Sequence, residues 1–235
     1  MRLDNYLVKN GFFESRNRAQ EAIKKGLVSV DKRVVNKPSF KVASNSIEIN
    51  YEKFYVSRAA RKLEEYLKEF YIDFKDKRVL DIGSSTGGFT QIALEYGAKS
   101  VDCVDVGSNQ LHSSLKESLR VNVYEGCDIR DFRGKGYDII LSDLSFISLL
   151  KVVESIDAKA KAKTTIVLLF KPQFEVGLNI KRNSKGVVQD KEAIIRAKEA
   201  FLEKTKELKW LLLDRRISKI SGREGNIEEF FTFKK

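Results

Sequence analysis

Aspartates stand at the ends of four short apolar segments, at Asp81, Asp105, Asp128 and Asp143. The first precedes a loop of glycine, serine and threonine at residues 83–88, after which a helical pattern begins. The carboxyl ends of parallel strands meet at one edge of a sheet, and open α/β sheets bind ligands in the crevice outside that edge. Carboxylates there can accept hydrogen bonds from a nucleoside. The pattern therefore predicts a nucleotide-like ligand at a strand-to-helix turn.

The loop sequence distinguishes between classes of nucleotide ligand. Gly83 allows a sharp turn, and Gly87 and Gly88 are expected to let a ligand approach the backbone closely. A serine follows Gly83, so the loop departs from the G-x-G-x-x-G fingerprint of dinucleotide-binding proteins. Asp105 can accept hydrogen bonds from ribose hydroxyls and Asp128 from an adenine amine. Together with this loop, the four acidic strand ends look like an S-adenosylmethionine site, which we prefer over an NAD site. The candidate cofactor-binding residues are Asp81, Gly83, Ser84, Ser85, Thr86, Gly87, Gly88, Phe89, Asp105, Val106, Asp128, Ile129 and Asp143.

Strand-like and helix-like segments alternate from residue 78 onward, so the sequence predicts an α/β fold with a mostly parallel sheet. The last two strand-like segments, 210–218 and 228–234, are joined by only a short turn and should therefore pair antiparallel. Helices are predicted at residues 57–72, 88–97, 109–119, 147–160 and 191–208.

The first part of the chain, residues 1–56, shows short helical patterns followed by short strands. Ser15 is a suitable N-cap for a helix that ends at Gly26, and a turn at residues 31–32 is expected to join two short strands. A further strand-like segment, 46–51, closes this part. We therefore expect a first domain at 1–56, a connecting segment with a helix at 57–77, and a second domain at 78–235.

Positive charge is concentrated in the first quarter of the chain. The net charge is +11, and residues 1–60 hold 12 lysines and arginines against 6 acidic residues. This excess favours a polyanionic partner, and nucleic acid is preferred over a general solubility bias. An anionic membrane would give a similar pattern. However, the apolar stretch IVLLF at 166–170 is far too short to span a bilayer.

The segment RLDNYLVKNGFFESRNRAQEAIKKGLVSVDKRVVNKPS, at residues 2–39, resembles an S4 RNA-binding domain. The match consists of an Arg-Leu-Asp opening, a Ser-Arg helix cap, a glycine stop and a valine-rich hairpin. The resemblance implies a basic face that contacts RNA phosphates, which give affinity and position rather than sequence choice. The residues implied in that face are Arg2, Arg16, Arg18, Lys24, Lys25 and Arg33.

Further motifs are DLSFISL at 143–149, KPQFE at 171–175, GNIEEF at 225–230 and SRAARKLEEYL at 57–67. Together they resemble the TlyA family of ribosomal RNA methyltransferases, which carry an older haemolysin name and are related to the FtsJ type. The resemblance implies a Rossmann-like seven-stranded sheet, S-adenosylmethionine as cofactor, and 2′-O-methylation of a cytidine in ribosomal RNA. The chain resembles the compact subtype, which implies a large-subunit target and leaves open the small subunit as a further one. The catalytic set carried over by the resemblance is Lys62, Asp143, Lys171 and Glu228.

These residue types suit the implied reaction. A ribose hydroxyl is a weak acid, and a nearby lysine can take its proton or stabilise the forming alkoxide. Lys171 ends an apolar strand-like run, an environment that can favour the neutral amine. Lys62 and Glu228 can orient the lysine and the substrate, while Asp143 holds the network; which lysine is the base stays open. Segment 173–190 reads as a lid or as a solvated loop, and further RNA contacts are expected from Arg58, Lys181, Arg182 and Lys185.

Other chemistries are not indicated. Cys103 and Cys127 are too few for a disulfide framework and are expected to be reduced, as in cytoplasmic proteins. His112 has no neighbours with metal-ligand spacing and is expected on a helix surface, so no metal is expected. The N-terminus has no apolar signal-peptide segment. The alternatives are a ribosome-binding factor with an inactive methyltransferase fold, a membrane-lytic haemolysin, and a methyltransferase with a transfer-RNA target; the sequence does not indicate the oligomeric state.

Overall fold

The computed structural model describes residues 1–43, 46–49 and 53–235. The chain forms two compact units, Met1–Phe54 and Tyr55–Lys235. Asn50 and Tyr51, which we expected at the end of a strand, lie outside the described residues.

The first unit packs two helices on a small antiparallel sheet. Ser15 caps the second helix, because its side chain accepts a hydrogen bond from the Arg18 amide at 3.4 Å. The buried faces of both helices and of the central strand form one apolar cluster that includes Leu3, Leu7 and Ile23. The elements are α1 (Leu3–Lys9), α2 (Arg16–Lys24), β1 (Val28–Val30), β2 (Arg33–Val34) and β3 (Ile47–Ile49), in the sheet order β2-β1-β3.

The second unit alternates strands and helices, as predicted. Its strands are β4 (Arg78–Ile82), β5 (Ser100–Asp105), β6 (Val121–Glu125), β7 (Tyr137–Ser142), β8 (Ala160–Phe170), β9 (Leu211–Ile217) and β10 (Glu229–Lys234). Its helices are α3 (Arg58–Leu67), α4 (Gly88–Glu95), α5 (Ser113–Lys116), α6 (Val153–Lys159), α7 (Pro172–Glu175) and α8 (Lys191–Glu207), with a 3₁₀ turn at Leu149–Lys151.

The strands of the second unit form a seven-stranded sheet in the order β6-β5-β4-β7-β8-β10-β9. Neighbours from β6 to β8 pair parallel, whereas β10 pairs antiparallel with both β8 and β9. This confirms the α/β fold and the antiparallel pairing of the last two strands. Because β10 is reversed, it starts at the edge where the parallel strands end.

The central strands of this sheet are buried on both faces, as expected for parallel strands covered by helices, whereas the edge strands β6 and β9 are largely exposed. On one face, Val79 and Ile139 pack in a cluster with Leu63 of α3 and Ile92 of α4. The other face has its own cluster, which includes Leu80, Ile140, Phe201 and Phe231. The apolar clusters on the two faces fix the positions of the strand ends. Side chains at those ends therefore start from a rigid backbone.

Three predicted helices are longer than the observed ones. The helix expected at 109–119 is limited to α5, because the Glu125 carboxylate accepts hydrogen bonds from the amides of Asn109, Gln110 and Leu111 and holds them in a loop. The helix expected at 147–160 breaks at Val152 into a 3₁₀ turn and α6. The helix expected at 57–72 ends at Leu67.

Candidate active site

A cavity of about 540 Å³ opens at the carboxyl ends of β4, β5 and β7, where the sequence predicts a crevice. Apolar side chains such as Ile82, Val104 and Val152 form its walls, as is usual for cofactor sites. The predicted cofactor residues that line it are Gly83, Ser85, Asp105, Val106, Asp128, Ile129 and Asp143.

Asp105 is held rigidly at the cavity. One carboxylate oxygen accepts the Ser85 amide at 2.8 Å, and the other accepts the Gly107 amide at 2.7 Å. Each oxygen keeps acceptor capacity, which suits a pair of ribose hydroxyls. Asp128 is bound by the guanidinium of Arg130 at 2.6 Å, and this hydrogen bond holds the pKa of Asp128 below its usual value. A fixed carboxylate acceptor therefore stands at each position.

A second cavity, of about 160 Å³, adjoins the first. The two cavities share Gly83, Ser85, Asp143 and Ser145. Of the predicted residues, those lining the second cavity are Asp81, Gly83, Ser84, Ser85, Thr86, Gly88, Phe89, Asp143 and Lys171. The predicted cofactor residues and Lys171 thus meet around Asp143, whereas Gly87 lines neither cavity.

Asp81 is a buried carboxyl at the second cavity. The Thr90 hydroxyl donates to Oδ2 at 2.6 Å, while Oδ1 has no hydrogen-bond partner among the residues that the structure describes. Burial, together with the charges of Asp143 and Asp105, raises the pKa of Asp81 to about 7. A buried acceptor without a partner is costly unless a ligand binds there. The site therefore fits a ligand that brings a positive charge, as the sulfonium and amino groups of S-adenosylmethionine would.

The glycines of the loop serve packing as well as turning. Gly83 and Gly87 have φ angles of +77° and +90°, which favour glycine. A Cβ on Gly87 would lie 2.3 Å from Cδ1 of Leu115, and one on Gly88 would lie 2.7 Å from the Ala60 amide nitrogen of α3. Both glycines thus make room for neighbouring elements of the protein, and Gly88 also lines the second cavity, whereas the predicted approach of a ligand to the two stays a prediction.

Lys171 lies at the end of β8, directly before α7. Its side chain is 8% exposed, and Nζ lies 2.7 Å from Oδ1 of Asp143. Nζ also donates to the Ser145 hydroxyl at 3.0 Å and to the Asp143 carbonyl at 3.4 Å. Three oxygen partners fix the amine on the wall of the second cavity.

Lys62 and Glu228 form a second buried pair. Nζ of Lys62 donates to Oε2 of Glu228 at 2.5 Å, and the two side chains are 9% and 2% exposed. In the register of β8 and β10, Glu229 pairs with Phe170, so the next position places Glu228 opposite Lys171. Paired residues of antiparallel strands project to the same face. The structure thus brings all four predicted catalytic residues to one region as two adjacent ion pairs.

The predicted RNA-contacting residues of the second unit differ in accessibility. Lys181 and Lys185 are exposed on a short hairpin that a bridge between Arg182 and Val188 closes. Arg182 instead donates to four backbone carbonyls of residues 173–180, so it stabilises this loop. Arg58 is exposed and donates to the Ser221 carbonyl at 3.0 Å.

In the first unit, two predicted RNA-contacting residues are engaged by a buried carboxylate. Asp4 is fully buried and accepts from Arg2 and Arg16, both at 3.0 Å, and from Gln20 at 2.7 Å. The hydrogen bond from Arg2 holds the pKa of Asp4 well below its usual value. Arg2 and Arg16 keep about half of their side chains exposed, so they can still meet RNA. Of the other four, Arg18, Lys24 and Arg33 are exposed, and Lys25 pairs with Glu21 at 2.9 Å.

Several residues of the site escaped the sequence analysis. Ser145 contacts Lys171, and Phe146 lies beside it with 91% of its side chain exposed and a φ of +67°. The Phe146 and Phe174 rings are 5.2 Å apart at the cavity mouth. Glu175 accepts from the Ser148 hydroxyl at 2.6 Å and joins the two loops, and burial raises the pKa of Glu175. All of these residues lie in the motifs DLSFISL and KPQFE, and membership of those motifs was the signal in the sequence that could have identified them.

Residues 1–43, 46–49 and 53–235 contain neither a membrane-spanning helix nor a cluster of metal-ligating side chains. No helix in these ranges is long and apolar enough to cross a membrane. They also contain no group of three or more histidine, cysteine, aspartate or glutamate side chains that could hold a metal ion.

Comparison with known families gives two matches. Residues 55–235 match the FtsJ-like methyltransferase family, and residues 1–47 match the S4 domain. Together the two matches cover both compact units.

Individual relatives extend these matches. The 23S rRNA (cytidine-2′-O)-methyltransferase TlyA of Campylobacter jejuni is 48% identical over 76% of this chain and 70% of its own length. The 16S/23S rRNA (cytidine-2′-O)-methyltransferase TlyA of Mycobacterium tuberculosis is 37% identical over 97% of this chain and 88% of its own. A solved structure from Streptococcus thermophilus, titled a hemolysin, is 33% identical with a TM-score of 0.72 and covers 100% of this chain and 88% of that one.

Proposed function

Because this chain belongs to the FtsJ-like methyltransferases, and within them to the TlyA family, we propose that it methylates a cytidine 2′-hydroxyl of ribosomal RNA. The observation that carries the proposal is the pair of adjacent buried ion pairs, Lys171 with Asp143 and Lys62 with Glu228, beside a cavity that fits S-adenosylmethionine. When bound, S-adenosylmethionine supplies an electrophilic methyl group.

The residues of the chain would then position and activate the hydroxyl. Three oxygens fix the Lys171 amine on the wall of the second cavity, which Asp143 also lines. The amine can therefore contact a ribose hydroxyl that enters this cavity. A lysine at this place can accept the proton or stabilise the alkoxide as it forms. The neighbouring Lys62–Glu228 pair adds a second ammonium group and a carboxylate. The two groups can compensate the change in charge that occurs when the ribose hydroxyl loses its proton. Rigid placement of the reactants supplies much of the rate acceleration.

The cofactor residues have distinct proposed roles. Asp105 would accept from the ribose hydroxyls and Asp128 from the adenine amine, while Ile129 and Val106 border the cavity. Asp81 would face the cationic part of S-adenosylmethionine. Phe146 offers an exposed ring beside Ser145, on which a nucleotide base can stack.

Structured ribosomal RNA is the proposed partner. The S4 match, the basic first 60 residues, and the exposed Arg18, Lys24 and Arg33 support an RNA-binding role. We propose the large ribosomal subunit as the substrate, because the Campylobacter relative, which is named for 23S rRNA alone, has the higher identity of the two relatives. We propose the cytoplasm as the place of action, since ribosomal RNA is the proposed substrate. The domain limits proposed from sequence are 1–56, 57–77 and 78–235.

The two other functions are less well supported. An inactive, binding-only factor would have no reason to keep two buried charge pairs, because buried charges are costly without a purpose. A membrane-lytic function has only the haemolysin name of relatives behind it, whereas the larger unit matches a methyltransferase family.

The deciding experiment is transfer of a labelled methyl group to separated 30S and 50S subunits from a strain that lacks the modification, followed by nucleoside mapping. We expect label in 2′-O-methylcytidine from the 50S subunit. Label on a base, or no label in either subunit, would contradict the proposal. Transfer to transfer RNA under the same conditions tests the remaining RNA class.

A further inference from the structure

We propose that a groove on the second unit, at the sheet edge opposite the candidate active site, binds the phosphate backbone of RNA away from the target nucleotide; this rests on the proposed RNA substrate. The groove has a volume of about 440 Å³ and lies at the starts of β4, β7 and β8 and the end of β10. We call it the lysine groove, after the four lysines that line it: Lys77, Lys161, Lys163 and Lys234.

Strand direction separates the lysine groove from the active site. Lys77 directly precedes β4, whereas Gly83 directly follows it. A five-residue strand such as β4 spans about 17 Å. The groove therefore cannot hold the nucleotide that reacts at Lys171, and any RNA in it is a second point of contact.

The acidic residues of the groove are already engaged within the protein. Asp138 pairs with Lys161 at 2.6 Å and accepts from the Arg78 amide at 2.9 Å. Asp73 accepts from the Lys75 amide at 3.0 Å. Only Lys161 among the four lysines has its charge neutralised by a direct ion pair.

Within the described residues, the other three lysines have no direct ion pair, although Lys77 is near enough to Asp138 to interact with its charge, and with both aspartates counted the groove lining keeps a net charge of +2. The ammonium groups of Lys77 and Lys163 make no hydrogen bond or ion pair within the part of the chain that the structure describes. Lys234 donates to the Thr165 hydroxyl at 3.2 Å, a neutral partner. Clustered lysines with free donors are the usual contacts of nucleic-acid phosphates.

Tyr71 adds an aromatic surface to the groove, and 81% of its side chain is exposed. An exposed ring among lysines can stack on a base or sugar while the lysines bind the backbone. A free mononucleotide or a metabolite phosphate would not need lysines spread over the ends of three strands, β4, β8 and β10, so an extended polyanion is the better fit. The net charge of +11 agrees with such a partner.

The backbone at Lys163 favours a functional interpretation. Lys163 has a φ of +68°, which is unfavourable for a residue with a side chain, and its amide donates to the Lys235 carbonyl at 2.7 Å. The pairing of β7 with β8 shifts register next to this point, between Tyr137 and Ile139. Strain of this kind persists at sites where the exposed side chain has a use.

The test is filter binding of the full chain to unmodified 50S subunits over a series of KCl concentrations. In the variant Lys77→Gln/Lys163→Gln, we expect binding to weaken about tenfold and the slope of log K against log[KCl] to fall by roughly 1 to 2. The matched control is Lys99→Gln/Lys206→Gln, which removes the same charge from two exposed lysines outside the groove. S-adenosylmethionine affinity and turnover at saturating subunits should not change.

Equal affinity and slope in the two double variants would overturn the proposal. A loss of binding to vesicles of anionic phospholipid, with 50S binding intact, would also overturn it, because the partner would then be a membrane surface. The result is independent of the methylation assay: absence of methyl transfer by the unsubstituted protein contradicts the proposed function, whereas the groove is judged by association alone.

Discussion

At the scale of single residues, the amine of Lys171 is surrounded by three oxygens from Asp143 and Ser145. Such a lysine either takes part in the reaction or is only a costly buried charge. Its removal lowers the rate of methyl transfer in the first case and changes only the stability of the fold in the second. The short contact to Asp143 also means that neither residue can be substituted without affecting the other.

We predict that Lys171→Ala lowers methyl transfer at least about 100-fold, because the group that accepts the hydroxyl proton or stabilises the alkoxide is lost. S-adenosylmethionine binding should weaken far less than turnover, since Asp105 and Asp128 are untouched and only Asp143 loses its partner. Turnover by single-turnover labelling and affinity by calorimetry measure the two effects. Lys151→Ala, on the exposed 3₁₀ turn, serves as the control and should behave as the unsubstituted protein. Near-normal turnover of Lys171→Ala would contradict the mechanism.

Asp81 predicts a pH dependence. Burial raises its pKa to about 7, so between pH ~4 and ~7 the folded chain holds a proton that the unfolded chain has released. The contribution of Asp81 to stability is therefore fully present below pH ~4 and is lost as the pH rises to about 7. A cationic ligand favours the carboxylate, so S-adenosylmethionine affinity should rise with pH up to about 7.

We expect calorimetric affinity to increase by up to about tenfold per pH unit between pH ~5.5 and ~7 and then to level off. In Asp81→Asn, this rise should disappear. If the variant binds too weakly to measure, its free energy of unfolding should lose the decrease between pH ~4 and ~7 that the unsubstituted chain shows. A pH-independent affinity of the unsubstituted chain would exclude this role for Asp81.

At the scale of elements, the turn from β4 to α4 depends on both backbone conformation and packing. Gly87 has a φ of +90°, and a Cβ there would meet the side chains of Leu115 and Leu111. The same turn carries Ser84 and Ser85, which are proposed to bind the cofactor. A change at Gly87 therefore disturbs the cavity through α5 as well as through its own backbone.

We predict that Gly87→Ala destabilises the chain by about 2–4 kcal/mol, from an unfavourable φ plus the steric conflict with α5. The matched control is Gly136→Ala, which has a similar φ of +81° but no atom within 4 Å of the added Cβ. It should cost only the backbone part, about 1 kcal/mol. Denaturant unfolding measures both, and equal losses would show that packing against α5 contributes nothing.

The elements also show what the sequence could predict. Alternating apolar segments were sufficient for the sheet, for its mostly parallel order and for the final antiparallel pair, because burial on both faces leaves a strong local signal. The shortening of α5 was not predictable, because it depends on Glu125 at the end of β6. The carboxylate of Glu125 accepts hydrogen bonds from three backbone amides of the loop that precedes α5. Likewise, no spacing rule indicates that Glu228 lies opposite Lys171; that position depends on the strand register.

At the scale of the whole molecule, each compact unit has its own apolar cluster and its own buried charges. In the first unit the buried charge is Asp4, whose two arginine partners we expected only at an RNA surface. The excess of positive charge was visible in the sequence. The sequence did not show which arginines stabilise the fold and which are available to RNA, because this depends on which of them pair with the buried carboxylate of Asp4.

We predict that Asp4→Asn destabilises the first unit by about 1–3 kcal/mol, because the arginines lose their charged acceptor. The second unit and its S-adenosylmethionine affinity should be unaffected. Hydrogen exchange resolves the two units, and Glu14→Gln, an exposed carboxylate, is the control. Since its partners hold the pKa of Asp4 low, the stability it adds is present above pH ~4 and is lost as the pH falls below that value. Equal loss of protection in both units would contradict this independence.

The reversal of β10 has a consequence for how the enzyme is made. Lys62 and Glu228 are 166 positions apart in the chain, and β10 must insert between β8 and β9 before they can meet. During synthesis, Lys62 emerges from the ribosome long before its carboxylate partner exists. A contact this distant forms late, because loop closure has to come first. The proposed catalytic centre is therefore completed only after Glu228 has been translated, and a product that stalls before this position would hold the proposed cofactor residues without one of their catalytic partners.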